Sequence, residues 1–453
     1  MNFLSFHTST FKNGIHPPEN KDETKGVAVR QFPFAKELII PMTQHIGAPA
    51  EIIVREGQEV ARGQVIAKAA GYVSVPIHSP VSGTVKKISL VPTISGTKAV
   101  GITIEAFPSS GQEVAEGYCI DYNKATADEI LKAIQDAGIV GLGGAAFPTH
   151  VKLKVPEGKT CEYLIINGIE CEPFLTTDHR VMLEQGEDIY MGIRYLLKVT
   201  GAREVIIGIE GNKQDAADYL NSIKPNDIPV SVKVVPVKYP QGSEKMLITA
   251  ILGKEVPSGG LPIDVNVVTV NVATTAEIGR LLPYGRGIQE RVITITGPAV
   301  KKKGNYLIPI GTPLRFVLDH VGIVDDDIAE IYMGGPMMGP AVADLDISIT
   351  KGTSGILVFG NKDIVHTDNV YPCIKCGACV DACPISLNPS KLGILAKFES
   401  YDLMVSDFNL MDCFECGSCS YVCPSHIPLV QYFRLSKSRY KRKQALNQNS
   451  NNA

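Results

Sequence analysis

Two cysteine runs near the C-terminus constrain this chain more than any other feature. Cys373, Cys376, Cys379 and Cys383-Pro384 form C-x2-C-x2-C-x3-C-P, and Cys413, Cys416, Cys419 and Cys423-Pro424 repeat it. Three thiolates this close on one loop reach three corners of a [4Fe–4S] cube, and the fourth Cys of each run serves the other cluster. The spacing therefore predicts one cluster on Cys373, Cys376, Cys379 and Cys423, and a second on Cys413, Cys416, Cys419 and Cys383. Gly377 and Gly417 leave the backbone free to turn N–H groups toward the sulfurs, which tunes the potential. Two structural zinc sites are the competing reading, but zinc usually takes paired C-x2-C units. Of the 11 cysteines, Cys119 and Cys161 read as small buried hydrophobes. Cys171 lies inside a motif described below and is not read as a ligand.

An odd cysteine total in a chain of 453 residues argues against a disulfide scaffold and for reduced thiols. A charged fraction of 20% with 44% hydrophobic residues is ordinary globular composition. The net charge of −3 supplies no basic field to gather nucleic acid. No apolar run approaches the roughly 18 residues that span a bilayer, so no transmembrane segment is expected. The first residues, MNFLSFHTSTFKNG, lack a basic stretch followed by an apolar core, and no signal peptide is read. The expected location is the cytoplasm.

The chain reads as a multidomain α/β protein. Residues 1–37 are polar and turn-rich, an arm lying over other domains. Residues 38–107 alternate short apolar runs with Gly and Pro turns, which suggests a small all-β sandwich. REGQEVARGQVIAK and SPVSGTV resemble the lipoyl/biotinyl barrel-sandwich-hybrid family. The hairpin Ala69–Ser74 has no lysine to modify, so a structural module is expected. Residues 121–288 alternate strand-like and helical patterns, indicating a Rossmann-like α/β domain with a mostly parallel sheet. Residues 289–345 resemble the soluble-ligand-binding β-grasp family, and ITKGTSGILVFG leads on to the cysteines. Residues 365–430 are expected to form a two-[4Fe–4S] ferredoxin domain of the α-helical type, because SKLGILAKFESYDLM between the runs is helix-compatible. Residues 431–453 are read as a basic polar tail, either solvated or held to anionic lipid.

Within the α/β region, Gly138-Ile-Val-Gly141-Leu-Gly143-Gly144-Ala-Ala-Phe147-Pro148-Thr149 follows a helix and precedes Lys152. A Gly-rich turn lets backbone approach a phosphate, and a nearby lysine adds charge. The strand Tyr163–Ile166 ends in Asn167-Gly168-Ile169-Glu170-Cys171-Glu172-Pro173. Polar residues at the carboxyl end of such a strand lie where α/β sheets bind ligands.

These segments resemble the FMN- and NADH-binding subunit of respiratory complex I and related NADH-linked hydrogenases. The family's G-R-G-G-A-G-F-P-T-G-x-K-W loop reads here GLGGAAFPTHVKL, and its N-x-D-E-x-E-P-G strand end reads NGIECEP. Its Y-I-C-G-E-E segment looks like Tyr239–Glu244, and its G-x-P-T-x-x-N-N-V-E-T segment like residues 261–278. The resemblance implies FMN contacts at Gly141, Gly143, Gly144, Lys152, Asn167, Glu170, Gly242 and Asn271, and NADH contacts at Phe147, Glu172 and Glu244. Three positions depart from the pattern: the loop Arg is Leu142, the strand-end Asp is Ile169, and the first Glu of the pair is Ser243.

With FKNGIHPPENKDETKG and the paired cysteine runs in this order, the chain from Phe11 to Lys443 resembles the C subunits of the Rnf (Rsx) electron-transport complex. That family implies a peripheral subunit on the cytoplasmic face of the membrane. It passes hydride from NADH to FMN, then single electrons through two [4Fe–4S] clusters to membrane-integral and ferredoxin-like partners, with some members running the reverse reaction coupled to ion movement. The cofactors carry this chemistry, so no catalytic acid, base or nucleophile is expected. An electron-relay subunit without nucleotide chemistry is the alternative. A quinone-linked subunit, as in the similar A subunit of the Na+-pumping NADH:quinone reductase, is disfavoured by the cysteine runs.

Overall fold

The computed structural model describes residues 10–364 and 369–451. Residues 1–9 of the expected arm, 365–368 of the expected cysteine domain and 452–453 of the tail lie outside the described residues. The chain forms two compact units, residues 19–234 with 262–364, and residues 10–18 with 235–261 and 369–451.

The larger unit begins with an antiparallel β module. One sheet orders Glu37–Pro41, Lys98–Ala106, Gly83–Pro92 and Glu59–Val60; the other holds Glu51–Ile52, Val65–Lys68 and Ile77–His78. Strand alternation builds its core, with Leu38, Ile40, Val85, Ile102 and Ile104 turned inward. A four-stranded sheet follows, in the order Val230–Val235, Glu204–Glu210, Tyr163–Gly168, Val267–Asn271. Glu204–Glu210 and Val267–Asn271 both run parallel to Tyr163–Gly168. Leu164, Ile165 and Ile166 are all buried, the continuous apolar run of a strand covered on both faces. Thr126 and Glu129 form a capping box that starts helix Ala127–Asp136 just before the glycine-rich loop. Helices Gly186–Thr200 and Val272–Leu281 cross at two glycines. A Cβ on Gly192 would fall 1.9 Å from the Thr275 carbonyl oxygen, and one on Gly279 1.9 Å from that of Asp188.

A mixed six-stranded sheet completes this unit: Arg30–Gln31, Gly304–Pro309, Glu290–Thr296, Gly355–Phe359, Glu330–Met333 and Ala341–Val342. It extends past residue 345. The run GILVF pairs parallel with Glu290–Thr296 on one side and antiparallel with Glu330–Met333 on the other. Gly355, Ile356, Leu357 and Val358 are all buried, so the strand is covered on both faces and carries no alternation to mark it. The arm supplies the edge strand Arg30–Gln31, and Phe32 enters the core beside Ile293 and Tyr306.

The smaller unit is helical around the cysteines, with Ala378–Asp381, Pro389–Lys397, Tyr401–Ser406, Ser418–Tyr421 and Leu429–Asn451. Ile15 bridges Tyr239, and Lys238 Nζ donates to the Phe11 carbonyl at 2.7 Å. The segment read as a polar tail is instead a docked helix. Leu429, Val430 and Phe433 are buried against Leu392, Leu395 and Met404. Arg434 and Lys437 both pair with Glu415 at 3.0 Å, Arg439 pairs with Glu399 at 2.5 Å, and Lys443 pairs with Asp402. The basic count hid an apolar stripe at helical spacing, and opposite charges on the cysteine region receive four of the six cations. No helix among the described residues is long and apolar enough to cross a membrane. Cys161 is buried as expected, whereas Cys119 is exposed and is not a core residue.

Candidate cofactor sites

The two cysteine runs adopt the same backbone. Lys375 and Glu415 have φ of 58° and 63°, and Gly377 and Gly417 both have φ of 84°. These left-handed residues flank the second cysteine of each run, and the glycines stand directly before the short helices Ala378–Asp381 and Ser418–Tyr421. No atom lies within 4 Å of a Cβ built on Gly377, so conformation rather than space calls for glycine there.

One cavity is lined by Cys373, Cys376, Cys379 and Cys423, and another by Cys383, Cys413, Cys416 and Cys419. Each gathers three thiols from one run and the last from the other. Burial raises the Cys379 pKa first, followed by the charges of Cys423, Cys373 and Cys376. Cys419 is raised by burial and then by Cys416, Cys413, Cys383 and Cys379. Thiols that oppose one another's ionisation in this way suit a cationic iron–sulfur body, which reverses the penalty.

The thiols differ in exposure. Cys373 and Cys376 are exposed, and the lining of the first cavity includes Ile374, which is 68% exposed. Cys383 and Cys419 are buried, with Leu387, Val430 and Phe433 lining the second cavity. Its backbone is held from several directions. Tyr239 Oη donates to the Cys416 carbonyl at 2.6 Å, Asn13 Nδ2 to that of Cys383 at 3.0 Å, and Lys437 Nζ to that of Cys413. The Leu387 N–H points to Cys383 Sγ at 3.3 Å.

In the larger unit, the chain leaves strand Tyr163–Gly168 on one side to make Glu204–Glu210 and Val230–Val235, then returns to its other side as Val267–Asn271. The crevice at such a reversal, outside the carboxyl ends, is where α/β sheets take ligands. Asn167 and Asn271 are register partners at this point. The glycine-rich loop is closed across its own neck by Gly141 N–H donating to the Phe147 carbonyl at 2.9 Å. A Cβ on Gly143 would lie 2.3 Å from Asn271 Nδ2, so only glycine fits there. Lys152 Nζ donates to Thr269 Oγ1 at 3.0 Å, two residues before Asn271. Gly144 is exposed, with open space beside it.

Glu170 is buried and turned inward. Its carboxylate accepts from the Asp178 N–H at 2.9 Å and faces that of His179 at 3.4 Å, at the start of helix Thr177–Glu184. Glu172 Oε2 accepts from the Met337 N–H at 3.1 Å. Gly242 and Glu244 belong to the smaller unit, on either side of Ser243, the N-cap residue of helix Glu244–Leu252.

Sequence reasoning missed a buried polar layer behind this edge. Asp178 Oδ2 accepts from Asn271 Nδ2 at 2.8 Å. Burial, then the nearby Glu170 charge, push the Asp178 carboxyl up to about 7. Lys21 reaches in from the arm, donating to the carbonyls of Glu170 at 2.6 Å and Leu175 at 2.7 Å. Arg291 and Lys351 lie buried beneath the loop, and burial lowers them to about 10 and about 7. Arg291 was detectable as the one cation in the otherwise strand-like ERVITIT.

A flavin-and-iron–sulfur chain is the class that these elements define, and comparisons with known proteins agree. The Nuo51 FMN-binding domain matches residues 134–280, the RnfC barrel sandwich hybrid domain 9–107, the SLBB domain 292–341 and the 4Fe-4S dicluster domain 372–427. The C subunit of the proton-translocating ferredoxin:NAD(+) oxidoreductase complex of Clostridium ljungdahlii is 42% identical over 431 residues, covering 95% of this chain and 93% of the relative. Its counterpart in the Na(+)-translocating ferredoxin:NAD(+) oxidoreductase complex of Acetobacterium woodii is 42% identical over 396 residues, covering 87% and 88%. A chain of an NAD+-reducing [NiFe]-hydrogenase is similar at 17% identity and a TM-score of 0.48, covering 72% of this chain and 69% of that one. The protein belongs to the RnfC family of electron-transport subunits.

Proposed function

We propose that this chain is the NADH-oxidising or NAD-reducing subunit of a membrane-bound, ion-translocating NAD:ferredoxin electron-transport complex, lying at the cytoplasmic face. The observation that carries the reading is the gathering of four thiols around each of two cavities, in a chain that also presents a glycine loop at an α/β switch point. Bound FMN supplies the exchange between a two-electron hydride donor and one-electron carriers. The residues serve it by position. The Gly141, Gly143 and Gly144 backbone with Lys152 receives the phosphate. Asn167, Glu170 and Asn271 shape the ring side, and Phe147 and Glu172 the nicotinamide side. Cys373, Cys376, Cys379 and Cys423 hold one [4Fe–4S] cluster, and Cys413, Cys416, Cys419 and Cys383 the other. The α/β region is Rossmann-like and the module after it is a β-grasp. Electrons leave to, or arrive from, the other subunits of the complex.

The test is anaerobic purification of the full chain with its clusters reconstituted. The preparation is expected to hold about eight irons, to release FMN on denaturation, and to bleach in the visible on addition of NADH. Intact clusters and bound flavin without bleaching would leave an electron relay and remove the nucleotide chemistry.

A further inference from the structure

The glycine-rich loop presents backbone outward at its tip. Gly143, Gly144 and Ala145 are exposed, and their N–H groups meet no acceptor among the described residues. A loop holds several amides outward only if something fixes its base against its own entropy. Leu142 is that base, and both of its peptide groups are tied. Its N–H donates to Thr274 Oγ1 at 2.9 Å, and its carbonyl accepts from Arg291 Nη2 at 3.0 Å. Its side chain is buried in the hydrophobic core of the larger unit.

Arg291 comes from strand Glu290–Thr296 of the six-stranded sheet, outside the sheet that carries the crevice. Its Nη1 donates to the Lys351 carbonyl. The Lys351 ammonium donates in turn to the Gly138 carbonyl at 2.7 Å and to that of Pro76 at 2.8 Å. Two buried cations therefore grip the loop on the inner side, one at its start and one at its turn. A planar guanidinium suits this role because its fork holds two carbonyls in fixed directions at once. Its charge also lies on the inner side of the loop whose outer amides are exposed.

We propose that Arg291 is the positioning residue of the flavin-phosphate loop, holding Leu142 so that the Gly143–Ala145 amides converge on the phosphate. It supplies from beneath the cation that position 142 of the loop, a leucine, does not carry. The proposal rests on the FMN reading given above.

The test compares FMN with riboflavin, which differ only in the phosphate, by flavin-fluorescence titration of the full reconstituted chain. In Arg291→Lys the charge remains and the fork is lost. FMN affinity is expected to fall about tenfold or more, as for loss of a charge-assisted hydrogen bond, while riboflavin affinity changes by less than about twofold. Thr274→Val cuts the other tie on Leu142 without touching the cation, and a smaller loss of the same selectivity is expected. The visible spectrum of the iron–sulfur clusters reports that the rest of the chain is intact. An unchanged FMN-to-riboflavin ratio in Arg291→Lys, or equal losses for both flavins, overturns the proposal. If Arg291→Lys does not fold, an unchanged ratio in Thr274→Val overturns it. Wild-type chain that binds neither flavin removes the FMN reading itself.

Discussion

The iron–sulfur region and the glycine-loop region solve opposite problems. In the first, every candidate ligand lies within two short runs, and the packing around them only sets how deeply each group of four is buried. In the second, the exposed loop is ordinary in itself, and its shape depends on groups far away in the chain. Arg291 is 149 residues from Leu142, and Lys351 is 213 residues from Gly138. A ligand set written locally tolerates change around it. A loop held by distant cations is only as good as the packing that delivers them.

This contrast is sharpest in the cysteines themselves. Cys383→Ser removes a buried thiol from the core that holds Leu387, Val430 and Phe433. It is expected to cost about four irons, half of the total, together with a large fall in melting temperature. Cys373→Ser, at an exposed thiol, should cost the same iron with little change in melting. Iron analysis beside calorimetry separates them, and equal melting temperatures would mean that burial does not distinguish the two cavities.

Gly143→Val tests the loop. The added carbon would meet Asn271 Nδ2 at 2.3 Å, in a helix cap that cannot yield without losing its bond to the Thr274 N–H. FMN binding should fall below detection by titration while the iron content holds. Retained flavin would show the loop to be more adaptable than its contacts imply.

The smallest effect is expected at Lys351, whose ammonium burial lowers from 10.5 to about 7. Between those values the unfolded chain binds a proton that the folded chain does not, so stability rises with pH across the window and the burial penalty is fully felt below it. Lys351→Met removes that slope. Melting curves from about pH 6.5 to 9.5 should show wild type gaining on the variant as pH rises. Parallel curves would mean that the lysine is not desolvated as its burial implies.

The sequence was most legible where function is local. The cysteine spacing, the glycines of the turn and the strand-end asparagine each stand in a short segment whose chemistry follows from residue type. It was least legible where one segment serves another. The GILVF strand was passed over because a doubly covered strand has no alternation. The last helix reads as a basic tail because the partners of its cations, Glu415, Glu399 and Asp402, stand elsewhere in the chain. Cys119 was misplaced because a lone thiol carries no signal of its surroundings. Phe32 of the arm gave no hint that it would complete a core formed some 260 residues later.

By itself, then, the amino-acid sequence determined which thiols are spaced to share a cluster and which loop is free to approach a phosphate, because both follow from a few neighbouring residues and their backbone freedom. Only the tertiary structure decided that one group of four carries two exposed thiols and the other two buried ones, and that the loop leans on Arg291 and Lys351. Burial and long-range hydrogen bonds are properties of packed neighbours, and those neighbours are chosen by the fold rather than by the order of the chain.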